Sequence, residues 1–198
     1  AGFGESTLGL NKEFTTNKLG FSKTQNNPMY CALSRGKFES MLLQVLSNIF
    51  FDISKFSSDL LLFTTKEFDF FDLPDSFKTG SSIMPQKKNY DVLELIRGNY
   101  SIFMGYQFQI QEIVKNLPSG YNRDFQLTKE PYLKAIKLIL ETVKISTLVI
   151  QNITAKKQNL KKALTEEIYA TDRAYKLVKN GLSFRDAYLR VEENLIKN

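Results

Sequence analysis

The 198 residues contain no histidine, so imidazole acid–base chemistry and histidine-ligated metal sites cannot come from this stretch of chain. Cysteine occurs once, at Cys31. That excludes an intrachain disulfide and fits a reducing compartment such as the cytoplasm. Apolar runs are cut by Ser, Asn, Gln, Asp or Lys well short of the roughly 20 residues a membrane span needs, and no signal-peptide pattern opens the sequence. No membrane association is expected. The first methionine is Met29, so the stretch reads as part of something longer. Strand-like alternation and internal repeats are also missing.

Charge is close to balanced. Lys and Arg number 27 against 21 Asp and Glu, a formal +6, and residues 151–198 carry +4 of it from ten basic and six acidic side chains. So small an excess is a weak reason to invoke nucleic acid. Most aromatics fall on apolar helix faces or in loops, not among the C-terminal lysines where they could stack on bases. With 42% hydrophobic and 24% charged residues, the composition is that of a folded globular protein.

What is present is helical periodicity. Residues 1–36 are rich in Gly, Asn, Thr and Ser and read as irregular, with one short helix near 11–19. From Lys37 to about Phe63 a stripe of Phe38, Met41, Leu42, Val45, Leu46, Ile49, Ile53, Phe56 and Leu60 recurs at three- and four-residue steps, widened by Leu43, Phe50 and Phe51. Pro74, Gly80 and Pro85 break the period over 66–90. A second long helix is expected from Asp91 to about Asn116, with Asp91 and Glu94 as a capping pair. Gly98 and Gly105 lie seven apart in it, each costing about 1 kcal/mol against Ala, so a neighbouring helix is expected to cross closely there.

After a loop over 117–130, Pro131 suits a helix start. Leu133, Ile136, Leu140, Val143, Thr147 and Ile150 carry a third stripe, which runs to an exposed Lys-rich turn at 156–162. Two shorter helices, 163–179 and 183–196, are split by Asn180-Gly181, with Gly181 as C-cap. Helices of roughly 25 residues span close to 40 Å. Their apolar faces exceed what three helices can cover mutually, so the expected fold is all-α, an elongated long-helix bundle that associates with other subunits.

Chemistry points to the loop 79–90, which holds Thr79-Gly80-Ser81-Ser82-Ile83-Met84-Pro85-Gln86-Lys87-Lys88-Asn89. A flexible Gly, hydroxyls, two ammonium groups and an amide stand at the start of a helix, where unpaired N–H groups and the positive dipole end favour anions. The loop therefore suits a carboxylate or phosphate; as a bland alternative it is a polar surface loop. The second Gly and the strand context of a Walker loop are missing.

The run Gly80–Asn89 resembles the signature GSSxMPxKxN of the fumarase/aspartase superfamily. Its surroundings narrow the resemblance to argininosuccinate lyase: Ser34-Arg35-Gly36-Lys37, Asp91-Val-Leu-Glu-Leu-Ile-Arg97, Asn116-Leu-Pro-Ser-Gly-Tyr-Asn-Arg-Asp124, Gln126, Lys129-Glu130, Ala170-Thr-Asp172 and Phe184-Arg-Asp-Ala187. The match covers only the C-terminal half of the family's enzyme. It implies a central helical-bundle domain over 1–162 and a small C-terminal helical domain over 163–198. The implied activity is reversible cleavage of argininosuccinate into arginine and fumarate, with no metal or organic cofactor, in a homotetramer whose active sites are shared among three subunits.

By the same resemblance Ser81 is the base and Lys87 stabilises the aci-anion, while Asn89, Tyr121, Gln126 and Lys129 bind substrate. Ser82, Lys88 and Arg35 are lesser candidates. The family's acid is a histidine from a segment outside these residues, so the chain is expected to be catalytically incomplete alone. Tyr90 stands where the family usually has Pro, and losing that fixed φ implies a looser loop. The competing expectation is a non-catalytic helical oligomer of the same fold.

Overall fold

The computed structural model describes residues 7–80, 83–84 and 88–196. The chain divides into two compact units: residues 1–61 with 73–152, and residues 62–72 with 153–198.

The first unit opens with α1 (Lys12–Lys18), near the position expected, and α2 (Pro28–Leu33). Asn11 and Asn27 cap them by accepting the N–H of Phe14 and of Tyr30. Then comes α3 (Lys37–Phe63), whose last two residues pass into the second unit. Still in the first unit, a 3₁₀ turn at Asp75–Phe77 leads to β2 (Thr79–Gly80), which pairs antiparallel with β3 (Lys88–Asn89). α4 (Asp91–Val114) follows, then a 3₁₀ segment at Arg123–Thr128 inside the expected 117–130 loop, and α5 (Lys129–Asn152).

α3 and α5 bury stripes that differ from those read off the sequence. α3 turns Leu43, Ser47, Phe50, Ser57 and Leu60 inward, and α5 turns Pro131, Ala135, Ile139, Thr142, Ser146 and Val149. Phe50 sits at the centre, edge-on to Phe103 with ring centroids 5.4 Å apart. Met41, Val45 and Leu133, members of the expected stripes, remain 56%, 61% and 65% exposed.

Ser, Ala and Thr recur on the inner faces, and on α5 the small Ala135, Thr142 and Ser146 let α4 pack closely. Their hydroxyls cost little there, since each bonds within its own helix: Ser47 to the Gln44 carbonyl at 2.7 Å, Thr142 to Leu138 and Ser146 to Thr142, both at 2.8 Å. Periodicity marks an apolar face without saying what covers it.

Other expectations are corrected. Asp91 is not the N-cap of α4; Tyr90 occupies that position, without a side-chain cap bond. α5 starts at Lys129, and Pro131 is its third residue, where its missing N–H costs no helical bond. The third stripe stops at Asn152, and residues 154–155 form a strand where only helix was expected. Among the described residues nothing lies within 4 Å of a Cβ added at Gly98 or Gly105, so none of the described helices crosses them closely.

In the second unit β1 (Phe71–Asp72) pairs antiparallel with β4 (Thr154–Ala155), which leads to α6 (Lys157–Lys162). Asp69, at φ 46°, gathers this unit's turn: its carboxylate takes Lys156 Nζ at 2.5 Å and Asn159 Nδ2 at 2.8 Å. α7 (Ala170–Lys179) and α8 (Phe184–Ile196) form a hairpin around Ala174, Ala187 and Val191. α7 begins at 170, after a 3₁₀ turn at Glu166–Tyr169. The C-cap of α7 is Asn180 rather than the expected Gly181, which follows it at φ +97° and turns the chain.

Candidate active site

The described candidate site residues gather at the two ends of α4. At its N-terminal end, β2 and β3 bring Thr79 opposite Asn89 and Gly80 opposite Lys88, closing the base of the signature loop. The Thr79 hydroxyl donates to the Asp91 carboxylate in the first turn of α4. Asp91 is therefore engaged by the loop rather than by the helix amides. Asn89 is half-buried. Ser81, Lys87 and Ser82 lie outside the described residues.

Tyr90 is held from its other side. Its hydroxyl accepts the Leu73 N–H at 3.4 Å, and Lys78 Nζ sits 5.5 Å from its ring centroid. Beside this base a cleft of about 480 Å³ is lined by Thr79, Asp91, Leu95, Asn99, Glu141 and Ile145 among others. Two carboxylates in its wall make it a poor seat for a dicarboxylate.

At the C-terminal end of α4 the chain turns through Asn116 and Gly120, both at positive φ. Asn122 Nδ2 donates to the Pro118 carbonyl at 2.8 Å and fixes that turn. Tyr121 and Gln126 meet here, Gln126 Nε2 donating to the Tyr121 hydroxyl at 3.4 Å. Lys129 follows at the exposed start of α5. Its neighbour Glu130 gives its carboxylate to Lys134 at 2.6 Å, a bond that lowers the Glu130 pKa and raises that of Lys134. Arg35 packs its guanidinium over the buried Phe125 ring, 5.8 Å from the centroid, behind Gln126.

Tyr121, Gln126 and Lys129 thus share one end, while Asn89 belongs to the other. α4 has 24 residues, so roughly 36 Å of helix separates the two groups. Within one copy they do not meet. The sequence reading missed Lys78, Leu73 and Phe125 as neighbours of these groups. No local pattern points to them, because each contact joins segments that only the tertiary fold brings together. Among the described residues, no group of three or more His, Cys, Asp and Glu is placed to hold a metal ion, and no helix is long and apolar enough to cross a membrane.

A family model described as lyase matches residues 6–105. The chain is 42% identical over 98% of its length to an argininosuccinate lyase of Thermotoga neapolitana, of which it covers 48%. It is 39% identical over 95% of its length to one of Xylella fastidiosa, covering 42%, and 40% identical over 90% to one of Aquifex aeolicus, covering 39%. The chain spans less than half the length of these relatives.

Among solved structures, an EDDS lyase in complex with formate matches with a TM-score of 0.87 at 25% identity, over 100% of this chain and 39% of that one. A fumarate lyase:delta crystallin from Brucella melitensis matches with a TM-score of 0.68 at 19% identity, over 94% of this chain and 42% of that one, a likeness of fold alone. The all-α fold of the fumarase/aspartase type expected from the signature is the fold these comparisons support. With a lyase pattern over half its residues, and relatives at about 40% identity along nearly all of it, the chain belongs to the lyase family.

Proposed function

We propose that this chain is the C-terminal part of an argininosuccinate lyase, which splits argininosuccinate reversibly into arginine and fumarate in the cytoplasm as a step of arginine biosynthesis. The observation that carries the reading is the run Gly80–Asn89, closed by the Thr79–Asn89 pairing onto the first turn of α4, in a chain about 40% identical to argininosuccinate lyases.

In this reading Ser81 takes the proton from the carbon beside a substrate carboxylate. Its alkoxide needs backbone N–H groups and positive charge nearby. The electron pair passes onto that carboxylate as an aci-anion, which Lys87 stabilises electrostatically. The C–N bond then breaks, leaving fumarate, and the guanidino nitrogen departs with a proton from a donor outside this chain. Asn89, Tyr121, Gln126 and Lys129 bind substrate, Lys129 and Gln126 suiting its carboxylates. No metal or organic cofactor takes part.

The separation of Asn89 from Tyr121 along α4 supports a site assembled from several copies. So do the broad exposed apolar faces of α3 and α5, including Met41, Val45, Ile49, Leu133 and Leu140. We take the assembly to be a homotetramer with each site shared among three subunits, residues 163–198 forming a small terminal domain. The test is release of fumarate from argininosuccinate by the full-length protein, followed by its ultraviolet absorbance. Ser81→Ala is expected to abolish release while leaving the assembly intact. A wild-type protein that releases none overturns the reading, and a Ser81→Ala protein that keeps most of its activity removes Ser81 from the base role.

A further inference from the structure

Between Leu73 and Asp91 two of the described cross-links meet at Tyr90. The segment 73–78 is a stiff block. Leu73 is buried, Phe77 N–H donates to the Pro74 carbonyl and Lys78 N–H to the Asp75 carbonyl, both at 3.0 Å, and Lys78 Nζ pairs with the Asp75 carboxylate at 3.1 Å. The Lys78 side chain is only 15% exposed, so its ammonium is held in place. Tyr90 grips this block at two points, its hydroxyl taking the Leu73 N–H and its ring lying under Lys78 Nζ.

The same residue opens α4 as its N-cap, at φ −91° and ψ 62°, without capping it by side chain. The side chain is spent on the 73–78 block instead. Tyr90 therefore couples the block, the β2–β3 ladder and the first turn of α4, alongside the Thr79–Asp91 bond. A proline here would supply a fixed φ but neither of these contacts.

We propose that Tyr90 is a positioning residue: by clasping Leu73 and Lys78 it fixes where Asn89, immediately before it, stands relative to the start of α4. The bond and the cation–π contact are each worth about a factor of a few to tenfold in an equilibrium. Loss of both should therefore be measurable without unfolding the chain. The kinetic part of the test rests on the lyase reading above; the exchange part does not.

The experiment compares Tyr90→Phe, Tyr90→Leu, Lys78→Met and Lys78→Arg in the full-length protein. Amide hydrogen exchange is read at Leu73 and across Thr79–Asp91, and KM and kcat are read with argininosuccinate. Tyr90→Phe should speed exchange at Leu73 a few-fold. Tyr90→Leu should speed it across the whole base and raise KM about tenfold, with a smaller fall in kcat. Lys78→Met should reproduce part of that loss, and Lys78→Arg, which keeps a cation over the ring, should restore it.

Equal loosening of α3 and α5 in Tyr90→Leu would mean a merely structural role and overturn the proposal, as would unchanged exchange at the base. A wild-type protein without lyase activity would sink the functional reading alone, since the exchange pattern would still report the clasp.

Discussion

At its N-terminal end α4 adds directional contacts to the packing of its buried Leu93 and Ile96: a two-residue ladder, the Thr79–Asp91 bond, and a tyrosine reaching back to Leu73 and Lys78. At its C-terminal end the Gln111–Ser40 bond at 3.1 Å is joined by closer packing. Gly36, at φ +80°, lies so close that an added Cβ would come within 2.5 Å of Val114 Cγ1 and 3.5 Å of Thr128 Cγ2, and Arg35 covers the buried Phe125 ring. Polar links of the first kind are individually weak and set geometry. Close packing of the second kind is stiff and intolerant of volume. One end thus suits a reactive loop whose placement is tuned by a few contacts, and the other a rigid platform presenting Tyr121, Gln126 and Lys129.

The largest effect should come from testing whether the two ends serve one site across copies. Ser81→Ala and Lys129→Ala in separate full-length proteins should each lose most turnover, the first by kcat and the second chiefly by KM. Mixed and reassembled, they should regain a fraction of it, because some sites then combine an intact loop from one copy with an intact platform from another. A mixture no more active than its components would break the idea of a shared site. Unchanged apparent affinity in Lys129→Ala would refute its carboxylate contact.

Gly36→Ala probes the packed end alone. Forcing a Cβ against Val114 at a left-handed backbone position should cost roughly 2–4 kcal/mol, read as an earlier denaturant midpoint with an unchanged slope. A loss under 1 kcal/mol would mean that the platform is softer than described. The smallest effect is expected midway along α4. Since nothing lies within 4 Å of a Cβ at Gly98, Gly98→Ala should stabilise the chain by about 1 kcal/mol through helix propensity. Destabilisation instead, in the assembled protein, would reveal another copy crossing closely there.

The long helices and the turn at Gly181 were legible because apolar period and glycine punctuation are local properties. The signature run was legible as a loop at a helix start for the same reason. The strands were not, since each is two residues long and exists only through its partner: Phe71–Asp72 with Thr154–Ala155, and Thr79–Gly80 with Lys88–Asn89. The Asp91 cap was misread because an acidic residue at a helix start caps it only if no nearer donor claims the carboxylate, and Thr79 does. Tyr90 suggested a looser loop because a missing proline is visible in sequence, whereas the Leu73 and Lys78 contacts that tie the residue down are not.

The sequence by itself determined the helical class and the position of the signature loop before α4, since hydrophobic period, glycine placement and residue type act over a few residues. Only the tertiary structure decided which helix faces this chain covers with its own atoms. It did so because small residues such as Ala135 and Ser146 admit close neighbours, whereas Leu133 remains outside. It also set Asn89 and Tyr121 a helix length apart, because α4 runs unbroken between them.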